Sequence, residues 1–262
     1  RAWVDVLLLV PTGYGIYLAY IDDYLQQLGE DSEALFRAAG IEDVAGIRQG
    51  HRVPVDILAR VFGRVFRHPR LEGFFLGLGE RIPITAHGNL GLAFMASKDI
   101  RTVLGMLERY AAIALPSVRI STREQEGEVV VDILVSTLYP DFNTALAEAL
   151  VINIIRNISV LSSREVAPRA VSFMQRLPSY ADRYQQHVQG EITFGATGNR
   201  IFYPASVLDL PVWTANDLNQ RLMVQQCDEE LQQVLVHTRL ADRVRGMMSL
   251  HLAADPSIGF VA

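Results

Sequence analysis

Residues 117–135 read SVRISTREQEGEVVVDILV, and no other stretch of the chain restricts its fold so tightly. Val118, Ile120 and Thr122 alternate with polar residues before Glu126-Gly127; Val129, Val131, Ile133 and Val135 alternate after it. Successive side chains on a strand point to opposite faces. Two period-two runs joined at a glycine-containing turn therefore specify an antiparallel hairpin with one apolar face. That face has to be covered, and the flanking sequence supplies helices to do it.

Tyr14, Tyr17, Leu18, Ile21, Leu25 and Leu28 share one face of a helix over 14–28, with Gly29 as its stop. Ser32 reads as the cap of a short helix ending at Gly40. Pro54 suits a first helical position ahead of Ile57, Leu58, Val61, Phe62, Val65 and Phe66. LEGFFLGLGERIP predicts a short helix and a loop, and LGLAFMAS a buried strand or a helix start. Ser97 reads as the cap of a helix carrying Ile100, Val103, Leu104 and Leu107. After the hairpin come a helix over 142–161, a strand at RAVSFM and a helix capped by Ser179. EITF and RIFY, flanking GATGN, read as a second hairpin, and TAND at 214–217 as a capping box opening a long helix to about residue 236. The class is α+β: N-terminal helices packed with a small antiparallel sheet and helices, then a long linker helix.

At 262 residues the chain can bury a sizeable core. A lone cysteine, Cys227, excludes an internal disulfide framework and fits a reducing cytosol. A net charge of −5 argues against a nucleic-acid surface on this chain. No stretch reads as long and apolar enough to span a membrane. In RAWVDVLLLVP, Asp5 interrupts a short apolar run and no cleavage site follows, so residues 1–10 read as a leader strand or an expression remnant.

Chemistry-bearing motifs are sparse. The six histidines (His51, His68, His87, His187, His237, His251) show no i,i+4 pair, so no metal site is expected. There is no nucleophile elbow and no phosphate loop, and Asp22-Asp23 and Glu229-Glu230 read as solvated helix faces. No catalytic residue and no cofactor are assigned. Aromatic and polar residues do gather in GYGIYLAY, GFFLG and HGNLG. Tyr14, Tyr17, Phe74 and Phe75 are candidate walls of a small-molecule pocket, with Arg48, His87 and Asn89 as polar handles. The plainer alternative is that Tyr17 and Phe75 are core, and that His87 and Asn89 are turn residues.

HGNLGLAFMASKDIRTVLGMLERYAAI resembles a segment of the AraC/XylS-type transcription regulators, in the subgroup with an arabinose-binding-like N-terminal region. The matching residues are Gly88 to Gly91, Ala96-Ser97 and Arg109-Tyr110. PRAVSFMQRLPSYADRYQQHVQGEITFGATGNRIFYPASVLDLPV is similar to a second stretch. RVRGMMSLHLAADPSIGFVA, with Asp255-Pro256-Ser257 before Ile258, Phe260 and Val261, is similar to the start of the family's helix-turn-helix region. The resemblance implies an effector-sensing domain over 11–212, a linker and dimerisation helix over 213–237, and a truncated start of a helix-turn-helix domain over 238–262. It also implies a cytoplasmic homodimer that meets a small-molecule effector and, through sequence beyond Ala262, promoter DNA. Control by a protein partner or by dimerisation alone is the alternative, and an enzyme with an unrecognised site a more distant one.

Val224, Cys227, Leu231 and Val234 are spaced three, four and three apart, a narrow seam among polar residues. Such a stripe can pack on the chain's own body or on a second copy. The resemblance favours the copy, which would bring two Cys227 thiols close.

Overall fold

The computed structural model describes residues 12–41 and 52–251, with side chains through Val236. The leader, Arg48 and the tail from residue 252 onward, including Pro256, Ile258, Phe260 and Val261, lie outside the described residues. Strand β1 (Thr12–Tyr14) pairs antiparallel with β2 (Arg52–Pro54), with α1 (Ile16–Gln27) and α2 (Ser32–Ala38) between them in sequence. Then follow α3 (Val55–Phe66), α4 (Phe74–Arg81), α5 (Gly88–Ala96), α6 (Ile100–Ala114), β3 (Val118–Gln125), β4 (Glu128–Val135) and α7 (Pro140–Ser162). Short strands β5 (Ala170–Ser172), β6 (Glu191–Thr193) and β7 (Asn199–Pro204) precede α8 (Asp217–His251).

The hairpin forms in the register that its alternation predicts, from Val118 opposite Val135 to Gln125 opposite Glu128. Glu126 and Gly127 take φ of 52° and 82°, the left-handed pair whose twist matches the flanking strands. Val118, Ile120, Val129, Val131, Ile133 and Val135 are buried, while Asp132 on the outer face pairs with Arg200 at 2.7 Å and Arg123 at 3.6 Å.

The second hairpin does not form. The sheet order is β3-β4-β7-β5-β6, so β5 lies between the two expected partners and pairs parallel with β6. Ile201 and Tyr203 extend the buried face of β4, and Val171 then covers the far edge of β7 opposite Ile201. Alternation fixes which face of a strand is buried. It does not say whether a third strand intervenes. The α+β class stands, with a mixed rather than purely antiparallel sheet.

Three caps shift from the expected residues to neighbours whose side chains reach an orphan backbone N–H. Asp31 accepts from Ala34 N at 2.9 Å, Asp99 from Thr102 N at 2.8 Å and Asn216 from Asn219 N at 2.9 Å. Each cap contributes about 1 kcal/mol. Ser32 instead turns inward onto the buried Asp22, Ser97 donates to Ala93 O at 2.8 Å, and Thr214 donates to Met95 O at 2.5 Å. Pro54 sits one residue before its helix, and Ser179 donates to Glu72 ahead of a short 3₁₀ turn. Asp22, expected on a solvated face, is 1% exposed.

Helix α7 is the central strut, packed against α3 and α4 on one side and β4 and β7 on the other. Its length and hydropathy would let it cross a membrane, which corrects the reading that no stretch qualifies; two-thirds of that apolar window is buried by protein. Glu148 on α7 is buried and accepts hydrogen bonds from Gln175 Nε2 at 2.9 Å, Tyr180 OH at 2.7 Å and Tyr184 OH. Burial pushes its carboxyl above the usual carboxylate range, and the three donors pin the 175–184 segment onto the strut.

Candidate functional site

A cavity of about 90 Å³ opens where α5, α6, α7 and the base of β3 meet. Leu90 and Phe94 on α5 line it one turn apart, as do Leu104 and Leu107 on α6. Ile154 and Ile158 on α7 close the opposite side. Among the described residues His87 is the one titratable group besides Tyr17 in the lining, and four side chains make the polar wall: Tyr17, His87, Asn153 and Asn157.

Hydrogen-bond chemistry orients this wall from one end. Asn153 Nδ2 reaches two backbone carbonyls, Gly79 O at 2.9 Å and Ile82 O at 2.8 Å, so that atom is the donor and Oδ1 faces the other way. Oδ1 then accepts from Asn157 Nδ2 at 2.9 Å and from His87 Nε2 at 3.1 Å. With the proton on Nε2, Nδ1 is the acceptor, and Tyr17 OH donates to it at 2.9 Å. Burial lowers the His87 pKa to about 4, and the neutral ring is the form that can accept from Tyr17. Burial also keeps the Tyr17 phenol protonated. One oxygen of this wall is left over: Asn157 Oδ1 is buried and has no partner among the described residues.

Beside the cavity a second polar group grips α8. Glu230 on that helix accepts from Tyr14 OH at 2.7 Å and from Asn89 Nδ2 at 2.6 Å. Asp228 accepts from Arg109 Nη2 and Tyr110 OH, both at 2.7 Å. Burial raises the Tyr14 pKa, aided by the bond to Glu230, and Tyr110 is pushed up to about 12 by burial and by Asp228. Both phenols therefore stay protonated and donate. Arg52 stands over the Tyr14 ring at 5.1 Å and donates to Ile113 O at 2.8 Å, tying β2 to the end of α6.

The expected site residues thus separate into three groups. Tyr17 and His87 line the cavity. Tyr14 and Asn89, expected to meet a ligand, instead hold Glu230, itself expected on a solvated face. Phe74 and Phe75 are corrected to core: Phe75 stacks on Phe62 at 4.9 Å and Phe74 on Tyr24 at 4.5 Å, and neither lines the cavity. The α8 stripe is divided. Cys227 is fully buried within its own chain, so its thiol is not presented to a second copy, while Val224 and Leu231 are partly buried and pack against the same core. Val234 is half-buried. Burial pushes the Cys227 thiol up to about 12, with Glu230 and Asp228 adding to it, which leaves it an unreactive core group. Helix α8 runs without a break through residue 237, the expected domain boundary, to His251.

Asn153 and Asn157 were missed. The signal was present, because two asparagines at i,i+4 inside ALVINIIRNISV are costly unless something polar meets them.

Residues 29–212 match the model of the arabinose-binding domain of AraC transcription regulators, N-terminal part. An uncharacterized HTH-type transcriptional regulator of Mycobacterium tuberculosis is 24% identical over 68% of this chain and 53% of its own length. The chain thus spans about half the length of that relative. The ornithine utilization regulator of Pseudomonas aeruginosa is 23% identical over 92% of this chain and 70% of its own length. Among solved structures, the transcriptional regulator CdpR from Pseudomonas aeruginosa has the same fold, with a TM-score of 0.59 at 18% identity over 93% of this chain and 73% of CdpR. With its cavity, its strut and its gripped C-terminal helix, this chain belongs to the family of AraC-type transcription regulators with an arabinose-binding-like N-terminal domain.

Proposed function

We propose that this chain senses a small effector in the α5–α6–α7 cavity and transmits its occupancy to α8, which leads toward a DNA-binding region. The observation that carries this reading is a shared scaffold. Tyr14 and Tyr17 lie three residues apart, and His87 and Asn89 two apart; in each pair one residue faces the cavity or its polar wall and the other holds Glu230. Helices α5 and α6 have the same double role, lining the cavity and seating α8. An effector that fits one seating of α8 better than another shifts the balance between them by its difference in affinity. The regulator names of the relatives point away from catalysis and toward a cytoplasmic protein.

A homodimer is part of the proposal. With Cys227 buried and Val224 and Leu231 packed against the chain's own core, the exposed large apolar residues of α8 among the described side chains are Leu218, Leu222 and Val236, and these are the contacts we assign to a second copy. Promoter DNA is met outside the acidic body.

The test uses a full-length regulator and its promoter in a reporter strain. Ala111→Leu narrows the cavity and is expected to abolish the effector response. Glu230→Ala is expected to keep ligand-dependent thermal stabilisation and to lose the transcriptional response. If both variants respond as the wild type does, occupancy of this cavity is not the signal.

A further inference from the structure

Resting on that reading, we infer that the effector is a compact, uncharged, mainly apolar molecule bearing a single hydrogen-bond donor, whose donor meets Asn157 Oδ1. The walls exclude charge. Among the described residues no Lys, Arg, Asp or Glu lines the cavity, and His87 spends both ring nitrogens on Tyr17 and Asn153. An ammonium or carboxylate moved here would lose its hydration with no counter-charge to replace it. A sugar fails for a related reason. Four or five hydroxyls need as many partners, yet Asn153 has both N–H groups and both oxygen lone pairs engaged. Among the described residues, what remains unpartnered in this wall is the Asn157 amide: its buried oxygen accepts nothing, and one of its two N–H groups is engaged by Asn153, in a side chain 9% exposed. Its orientation is forced, because the other end of the amide has to donate to Asn153 Oδ1.

A buried acceptor without a partner is costly, and a ligand donor relieves that cost only when bound. Size sets the other limit. The cavity of about 90 Å³ is small, which suits a compact ligand. The family description names a sugar and one relative's name a diamino acid. Neither matches a neutral wall of this kind.

The experiment measures thermal stabilisation and calorimetric binding by this chain with four probes: phenol, benzene, L-arabinose and L-ornithine. Phenol is expected to bind about five- to tenfold more tightly than benzene, as one net hydrogen bond would give. Asn157→Ala should erase that preference and keep benzene binding, while Ala111→Leu should remove both aromatic probes. Equal affinity of phenol and benzene for the wild type overturns the donor assignment. Arabinose or ornithine binding that Ala111→Leu abolishes overturns the ligand class but leaves cavity sensing standing. If no probe binds, the inferred class is wrong. The effector response of full-length Ala111→Leu then separates the two failures: a lost response keeps the sensing reading, and an intact one removes it.

Discussion

The cavity wall and the α8 grip are built from adjacent residues yet use opposite electrostatics. At the wall, Tyr17, His87, Asn153 and Asn157 form a neutral chain of hydrogen bonds in which burial holds the imidazole uncharged. At the grip, two carboxylates on a half-exposed helix face take donors from three different elements. The wall is closed to charge because nothing inside would repay its lost hydration, whereas the grip tolerates charge because water and Arg109 remain at hand. A neutral pocket suits discrimination by shape and one donor. A charged, partly wetted contact suits the shift of α8 that the proposed sensing role requires.

The most damaging change should be one that strikes both regions. A Cβ at Gly91 would lie 1.9 Å from Ile84 O, in the turn that carries His87, and on the helix that carries Asn89. Gly91→Ala is expected to cost about 3 kcal/mol or more by overpacking, read as a lowered urea midpoint together with loss of phenol binding. If stability falls and both regions keep their function, they are less tied than described.

Asn153→Ala strips partners from two backbone carbonyls, from His87 and from Asn157. A loss of about 3 kcal/mol is expected, with α8 remaining docked by amide hydrogen exchange.

Acid should weaken the wall. The His87 pKa is lowered to about 4, below the ordinary value of 6.5. Between those limits the unfolded chain binds the extra proton and the folded chain does not. Stability from this group is therefore present above about pH 6.5 and is lost as pH falls toward 4. His87 keeps some accessible surface, so the loss is on the order of 2 kcal/mol rather than the full shift. His87→Gln should flatten that limb of the pH profile, and an unchanged profile would mean that the ring is not held neutral.

Glu230→Ala removes two partly buried, charge-assisted bonds, and about 1–2 kcal/mol of α8 docking should go with them. Arg109→Ala breaks an exposed pair and should cost less than about 1 kcal/mol. If these two effects reverse in size, the grip is centred on Asp228 and not on Glu230.

Much of the fold could be read locally. The hairpin, the 140–162 helix and the helical N-terminal third follow from periodicity, because strand and helix repeats depend on near neighbours alone. Tyr17 and His87 were legible as site candidates because they pair aromatic or polar character with nearby glycines. The caps were read one or two residues off, since Ser, Asp and Asn compete for the same orphan N–H and only three-dimensional reach selects among them.

By itself the sequence determined the secondary-structure periods, the α+β class and the family, since each is carried by the order and spacing of residues along one chain. Tertiary structure decided the rest. It inserted β5 between two strands that looked like a hairpin, drew Glu230 from an expected solvated face into hydrogen bonds with Tyr14 and Asn89, and buried Cys227 in the chain's own core. It also brought Asn157 from the middle of an apolar helix to the wall of a cavity, with one oxygen unanswered. These outcomes depend on which surfaces meet across more than a hundred residues, and no local repeat encodes that distance.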